Sequence, residues 1–63
     1  MPALEDYPEN CRPSITTVSN TIGTDYDTAY SMILLTACLE DLYPYQPEVA
    51  DKIINAHIQA RVN

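Results

Sequence analysis

The segment from Thr24 to Tyr43 constrains the fold of this chain more than any other feature. Thr24 suits a helix N-cap with Asp27 three residues later, and Pro44 follows the segment, so these signals predict a single helix. With residues placed about 100° apart around the axis, this helix is apolar on two different sides. One sector contains Tyr26, Tyr30, Leu34 and Ala37, and the other contains Met32, Leu35, Leu39 and Leu42. A helix of this kind must be covered on more than one side.

A second long helix is predicted from Pro47 to about Val62. Pro47 suits the first helical position, and Glu48 places a negative charge in the first turn, where the helix dipole favours it. One apolar stripe contains Val49, Ile53, Ala56 and Ala60, and it is widened by Ala50, Ile54 and Ile58. Because only the short link at 43–46 separates the two helices, we expect them to form an antiparallel hairpin.

The residues before this hairpin are less regular. From Pro13 to Ile22 the apolar residues recur at spacings of three and four, and Gly23 suits the position after the last turn, which favours a short helix. A strand is the alternative, because the segment is rich in β-branched residues. Residues 1–12 contain prolines and acids and are predicted to form an extended arm. We therefore expect an arm at 1–12 and a single small helical domain at 13–63.

The seam of Met32, Leu35, Leu39 and Leu42 predicts an assembly, because one partner helix cannot cover both sides of the first long helix. Two hairpins packed face to face would bury the seam in a four-helix bundle, and two-fold dimers are the commonest closed assemblies. The predicted fold is therefore all-α: two long antiparallel helices and a short N-terminal helix, dimerising into a four-helix bundle. A monomer of three packed helices, whose seam is free to dock another protein, is the alternative.

Charge limits the partners of this chain. Nine acidic residues stand against three basic ones and give a net charge of −6 in 63 residues, which disfavours direct binding to nucleic acid. The hydrophobic content of 46% indicates a folded chain, yet no apolar run reaches the length of a membrane span. The acidity fits a surface that docks onto a larger, basic protein, or one that simply keeps a small oligomer soluble.

The cellular compartment is predicted from the two cysteines and from the first residues of the sequence. The first residues contain no basic stretch followed by an apolar core, so we expect a cytoplasmic protein with free thiols. Cys38 lies in the apolar run from Leu35 to Leu39 and is expected to be buried. Cys11 lies between prolines and is expected in a flexible loop, and its role stays open.

Nothing in the sequence indicates catalysis, a metal or a cofactor. His57 is the only histidine, no serine stands in a glycine-flanked elbow, and a single glycine excludes the phosphate-binding loops. The pair Asp25 and Asp27 lacks the glycine and the glutamate of a calcium-binding loop, and it is interpreted as part of a helix start. We therefore expect a protein that is not an enzyme.

Two groups of residues are candidate binding sites. Glu40, Asp41, Tyr43 and Tyr45 form an acidic, aromatic tip at the hairpin turn, which is typical of a partner-binding site. The leading hypothesis is a non-enzymatic interaction module that binds and inhibits or adapts a larger protein; phage-encoded inhibitors of host machinery offer an analogy in size and charge. The alternative is an oligomer that sequesters an anionic metabolite or nucleotide between His57 and Arg61 of adjacent subunits.

Overall fold

A computed structural model describes residues 3–42 and 47–62, and three α-helices account for most of them. These are α1 (Arg12–Ile22), α2 (Tyr26–Glu40) and α3 (Pro47–Val62), preceded by 3₁₀ turns at Leu4–Asp6 and Glu9–Cys11. No strand occurs in the described ranges, so the prediction of an all-helical fold is confirmed, and the segment 13–22 is helix. Tyr43, Tyr45 and the rest of the link lie outside the described residues.

Helix α1 contributes fully buried side chains to the hydrophobic core. Ile15 and Val18 are completely buried, and both lie on the side of the helix that faces α2 and α3. The helix ends where Gly23 adopts a left-handed conformation with φ of 71°, which glycine takes without the steric cost that a Cβ atom brings. The N–H groups of Gly23 and Thr24 both donate to the carbonyl oxygen of Ser19, which closes the last turn. The predicted glycine cap is confirmed.

Helix α2 begins and ends at other residues than the sequence predicted. The N-cap is Asp25 and not Thr24: its carboxylate accepts hydrogen bonds from the backbone N–H of Thr28 at 3.1 Å and from the Thr28 hydroxyl at 2.7 Å. These two bonds lower the pKa of Asp25. The helix stops at Glu40 instead of Tyr43, because Asp41 takes a left-handed conformation with φ of 56°. Aspartate tolerates that conformation better than most residues do.

The buried residues of α2 are two alanines and one isoleucine. Ala29, Ile33 and Ala37 are buried against α1 and α3, and Val49, Ala50 and Ile53 are their buried counterparts on α3. Of the first predicted sector, Ala37 is buried and the two tyrosines are half-buried, but Leu34 is exposed. Alanine lets the helix backbones approach closely, so the alanine face turns inward and the leucines are left on other sides.

The expected extended arm at 1–12 is wrong over its described part, which folds onto the helices. Tyr7 is only 7% exposed, its ring meets Tyr26 and Tyr30 in edge-on contacts with centroids 6.2 and 5.2 Å away, and its hydroxyl donates to Asp27. The hydrogen bond to Asp27, burial and the neighbouring carboxylates raise the pKa of Tyr7 to about 12. Arg12 donates from Nε to the carbonyl of Tyr7 and from Nη2 to that of Glu5, both at 3.1 Å. Edge-on aromatic contacts and these bonds hold the segment in place.

The burial predicted for the two cysteines is reversed. Cys11 ends the second 3₁₀ turn directly before α1 and is 0% exposed within the core cluster, whereas Cys38 lies on the outer side of α2 and is exposed. Both thiols are free, and burial raises the pKa of the Cys11 thiol. Cys11 therefore takes the role of a small buried hydrophobe that the sequence had suggested for Cys38.

Candidate interaction surface

Helices α2 and α3 lie side by side and run in opposite directions. Glu40, at the end of α2, forms an ion pair with Lys52 in the first half of α3, with Oε2 and Nζ 3.6 Å apart. Further back along α2, Met32 shares a groove with His57, which lies in the second half of α3. This order of contacts is that of an antiparallel pair and agrees with the predicted hairpin.

The groove between these two helices is an open depression with a volume of about 300 Å³. Of the described residues, only members of α2 and α3 line it: Met32, Leu35, Thr36, Ile53, Ala56 and His57. No residue of α1 lines it, so it opens on a side of the α2 and α3 pair that α1 leaves uncovered. We call the groove together with Leu39 the α2/α3 face.

Two leucines of this face are the most exposed large hydrophobic residues among those described. Leu39 is 77% exposed and Leu35 is 64% exposed, whereas Met32 and Leu42 are half-buried and pack against the core. The seam predicted from the sequence is therefore divided between the core and the surface. Leu35 and Leu39 are its exposed half, and contiguous apolar surface of this kind is typical of a binding site.

The acidic end of the α2/α3 face follows Leu39 directly. Glu40 and Asp41 are both exposed at the C-terminus of α2, where the helix dipole adds further negative charge. The ion pair between Glu40 and Lys52 is about half exposed on both sides, and such pairs contribute at most about 1 kcal/mol. Glu40 is thus available to another cation. Tyr43 and Tyr45, the aromatic half of the predicted tip, lie outside the described residues.

The few cations of the chain do not neutralise this surface. Arg12 is held by backbone carbonyls of the N-terminal segment, and Lys52 is paired with Glu40. Arg61 is exposed in the last turn of α3. His57 is half-buried and lines the groove, but Arg61 does not, so the two residues of the predicted anion site are not brought into one pocket.

A second groove, of about 280 Å³, lies where the first turns of α1 and α3 meet and has no counterpart in the sequence predictions. Asn10, Pro13, Ser14, Thr17, Pro47 and Ala50 line it, and none of these side chains is ionisable. Only the packing of α1 against α3 brings them together, so no local sequence pattern could have indicated it.

Two features are absent from the described residues, a metal-binding cluster and a membrane-spanning helix. Among them, no cluster of three or more histidine, cysteine, aspartate or glutamate side chains is placed to hold a metal ion. None of the helices in the ranges 3–42 and 47–62 combines the length and the apolar character needed to cross a membrane.

Comparison with known proteins gives no match: no family model, no curated protein and no solved structure is similar to this chain. Function is therefore inferred from the geometry and charge of the α2/α3 face.

Proposed function

We propose that this protein is a non-enzymatic interaction module that binds a larger protein and inhibits or adapts it. The observation that carries the proposal is the exposure of Leu35 and Leu39 beside the acidic residues Glu40 and Asp41. A centre of apolar side chains with a polar rim is the usual anatomy of a protein interface. Tyr43 and Tyr45 follow in the sequence and would extend the same binding site.

We further propose that the free protein is a cytoplasmic homodimer. The α2/α3 faces of two copies would cover each other and form a four-helix bundle, with one α1 on each outer side. Two observations support this arrangement: among the described residues the groove is lined from α2 and α3 only, and Leu35 and Leu39 are largely exposed. A reducing compartment suits a chain in which both thiols are free.

Charge reversal at the tip tests the interaction module. The protein is immobilised and used to capture partners from a cell lysate, and the captured complex is then measured with Glu40→Lys/Asp41→Lys. We expect slower association and weaker binding, because a positive tip no longer attracts a basic partner. The matched control is Glu5→Lys/Glu9→Lys, which changes the net charge equally, from −6 to −2, on exposed residues of the N-terminal segment.

Two results would contradict the interaction module. The first is a capture that recovers only the protein itself. The second is binding that the tip variant and the control variant weaken to the same extent, because the total charge and not the tip would then determine affinity.

The sequestering oligomer is the second candidate, and the position of His57 in the wall of the groove favours it. In a dimer that closes over the groove, His57 of each copy would lie near the subunit boundary, with Arg61 one turn further along α3. A thermal-shift panel of nucleotides and anionic metabolites tests this function, because a ligand at 100 times its Kd stabilises the folded state by about 2.7 kcal/mol. Arg61→Ala should abolish the shift, while the tip variant should leave it unchanged.

A further inference from the structure

We propose that the α2/α3 face binds a basic amphipathic helix of the partner protein, which takes the place of the second copy of this chain. The inference rests on the proposed function and identifies the chemistry of the partner. It also moves the centre of the interface from the acidic tip to the groove between the two helices.

The shape of the face fits a helix. Leu35 lines the groove from α2, and the small side chain of Ala56 lines it from α3. Leu39 follows Leu35 one turn later along α2 and is exposed like it. A helix laid between two others places apolar residues at spacings of three and four into such a groove. The incoming helix would thus contact α2 and α3 together.

The charge of the face selects a cationic occupant. Glu40 and Asp41 stand at one end of the face, at the negative pole of α2. Lys52 lies beside them and is already paired with Glu40. A second copy of the chain would bring another net charge of −6 to the interface, whereas lysine or arginine residues flanking an apolar helix stripe would be attracted. Charge complementarity therefore favours a basic helix over self-association whenever both are present.

The test uses the full-length protein and a fluorescent synthetic peptide of leucine and lysine as long as α3, with its leucines on one helix face. Two control peptides are used: one of the same composition in an order that scatters the leucines, and one with glutamate in place of lysine. Fluorescence anisotropy should show binding of the amphipathic basic peptide that weakens with added salt. The two controls should bind much more weakly.

Variants locate the binding site. Leu35→Gln/Leu39→Gln should raise the Kd of the basic peptide about tenfold or more, because two apolar contacts are lost. Ile58→Gln is the matched control, because Ile58 is 51% exposed on α3 but does not line the groove, and it should leave the Kd unchanged. Circular dichroism checks that each variant keeps its helices. If the double variant loses helical content, the single variant Leu39→Gln replaces it in the binding measurement.

Three outcomes would overturn the inference. If the ordered and the scattered basic peptide bind equally well, net charge alone and not the groove determines the binding. Loss of binding in Glu40→Lys/Asp41→Lys without loss in Leu35→Gln/Leu39→Gln would leave the interaction module standing but remove the groove from it. If the protein stays dimeric by light scattering and does not bind the basic peptide, the α2/α3 face is occupied by a second copy of the chain and not by a basic helix.

Discussion

The two thiols of this protein should react with a thiol reagent at very different rates. Cys38 is exposed on the outer side of α2, while Cys11 is fully buried between the N-terminal segment and α1. Only a thiolate that the reagent can reach is modified, and burial raises the pKa of the Cys11 thiol as well as covering it. Cys11 should therefore react only when the chain opens.

The size of the difference follows from the stability of so small a chain. A core of this size rarely supplies more than about 3–5 kcal/mol, and each 1.4 kcal/mol corresponds to about a factor of ten in the unfolding equilibrium. If global unfolding is the route, Cys11 should be protected roughly 100-fold to several thousand-fold relative to Cys38. Opening of the N-terminal segment alone would give a smaller factor, because less of the core is disrupted.

The assay follows a chromogenic disulfide reagent with Cys11→Ser and Cys38→Ser, so that each variant reports one thiol. We expect fast modification in Cys11→Ser, slow modification in Cys38→Ser, and equal rates for both in denaturant. Fast modification of Cys11 under native conditions would refute the packing of the N-terminal segment. Slow modification of Cys38 in a protein that light scattering shows to be monomeric would refute the orientation of α2.

Three further predictions concern the core and the caps. Tyr7→Phe should lower the Tm at pH 7. Because the folded pKa of Tyr7, about 12, lies above the ordinary value of 10.0, the hydroxyl contributes its full stabilisation below pH 10, and the difference in Tm should vanish as the pH rises through 12. An ultraviolet titration of the native protein should include a tyrosine ionisation near pH 12 that Tyr7→Phe lacks. Asp25→Ala should lower the Tm at pH 7, with a difference that disappears as the pH falls through the lowered pKa of the carboxyl, so equal effects at pH 7 and pH 2 in thermal melts would contradict the cap. Ile33→Ala should cost about 2–5 kcal/mol in urea unfolding, while Leu39→Ala should cost little in the monomer, and equal costs would contradict the assigned core.

Helical periodicity was sufficient to predict the fold class and the approximate positions of all three helices. It could not decide which side of α2 faces inward, because apolar residues lie all round that helix. Which side of α2 faces inward depends on how closely its backbone can approach the backbones of α1 and α3. The alanines at 29 and 37 allow close packing, so they are buried and the leucines are not, which is a property of three helices together.

The N-terminal segment shows the second limit of sequence reasoning. Its prolines and acids are typical of an arm, but the contacts of Tyr7 and Arg12 and the packing of Leu4 and Cys11 attach it to the helices. Tyr7 meets two tyrosines and an aspartate about 20 residues later in the chain, and such contacts leave no local pattern. The burial of Cys11 follows from that attachment, so both errors have one cause.

The candidate site was predicted in part. The pattern of leucines indicated surplus apolar surface, and the structure places Leu35 and Leu39 on the outside, next to Glu40 and Asp41. The groove beside them could not be predicted, because its shape depends on the separation of α2 and α3. The same holds for His57, which packing brings to the groove wall without Arg61.

The solution mass of the unmodified protein tests most directly whether the α2/α3 face joins two copies of this chain. Sedimentation equilibrium over a range of micromolar concentrations should give the mass of two chains for the native protein and of one chain for Leu35→Gln/Leu39→Gln. Both should have the same helical content by circular dichroism, because these leucines lie outside the core of the single chain. A native protein that stays monomeric at every concentration, or a dimer that survives the loss of both leucines, would contradict the proposed homodimer.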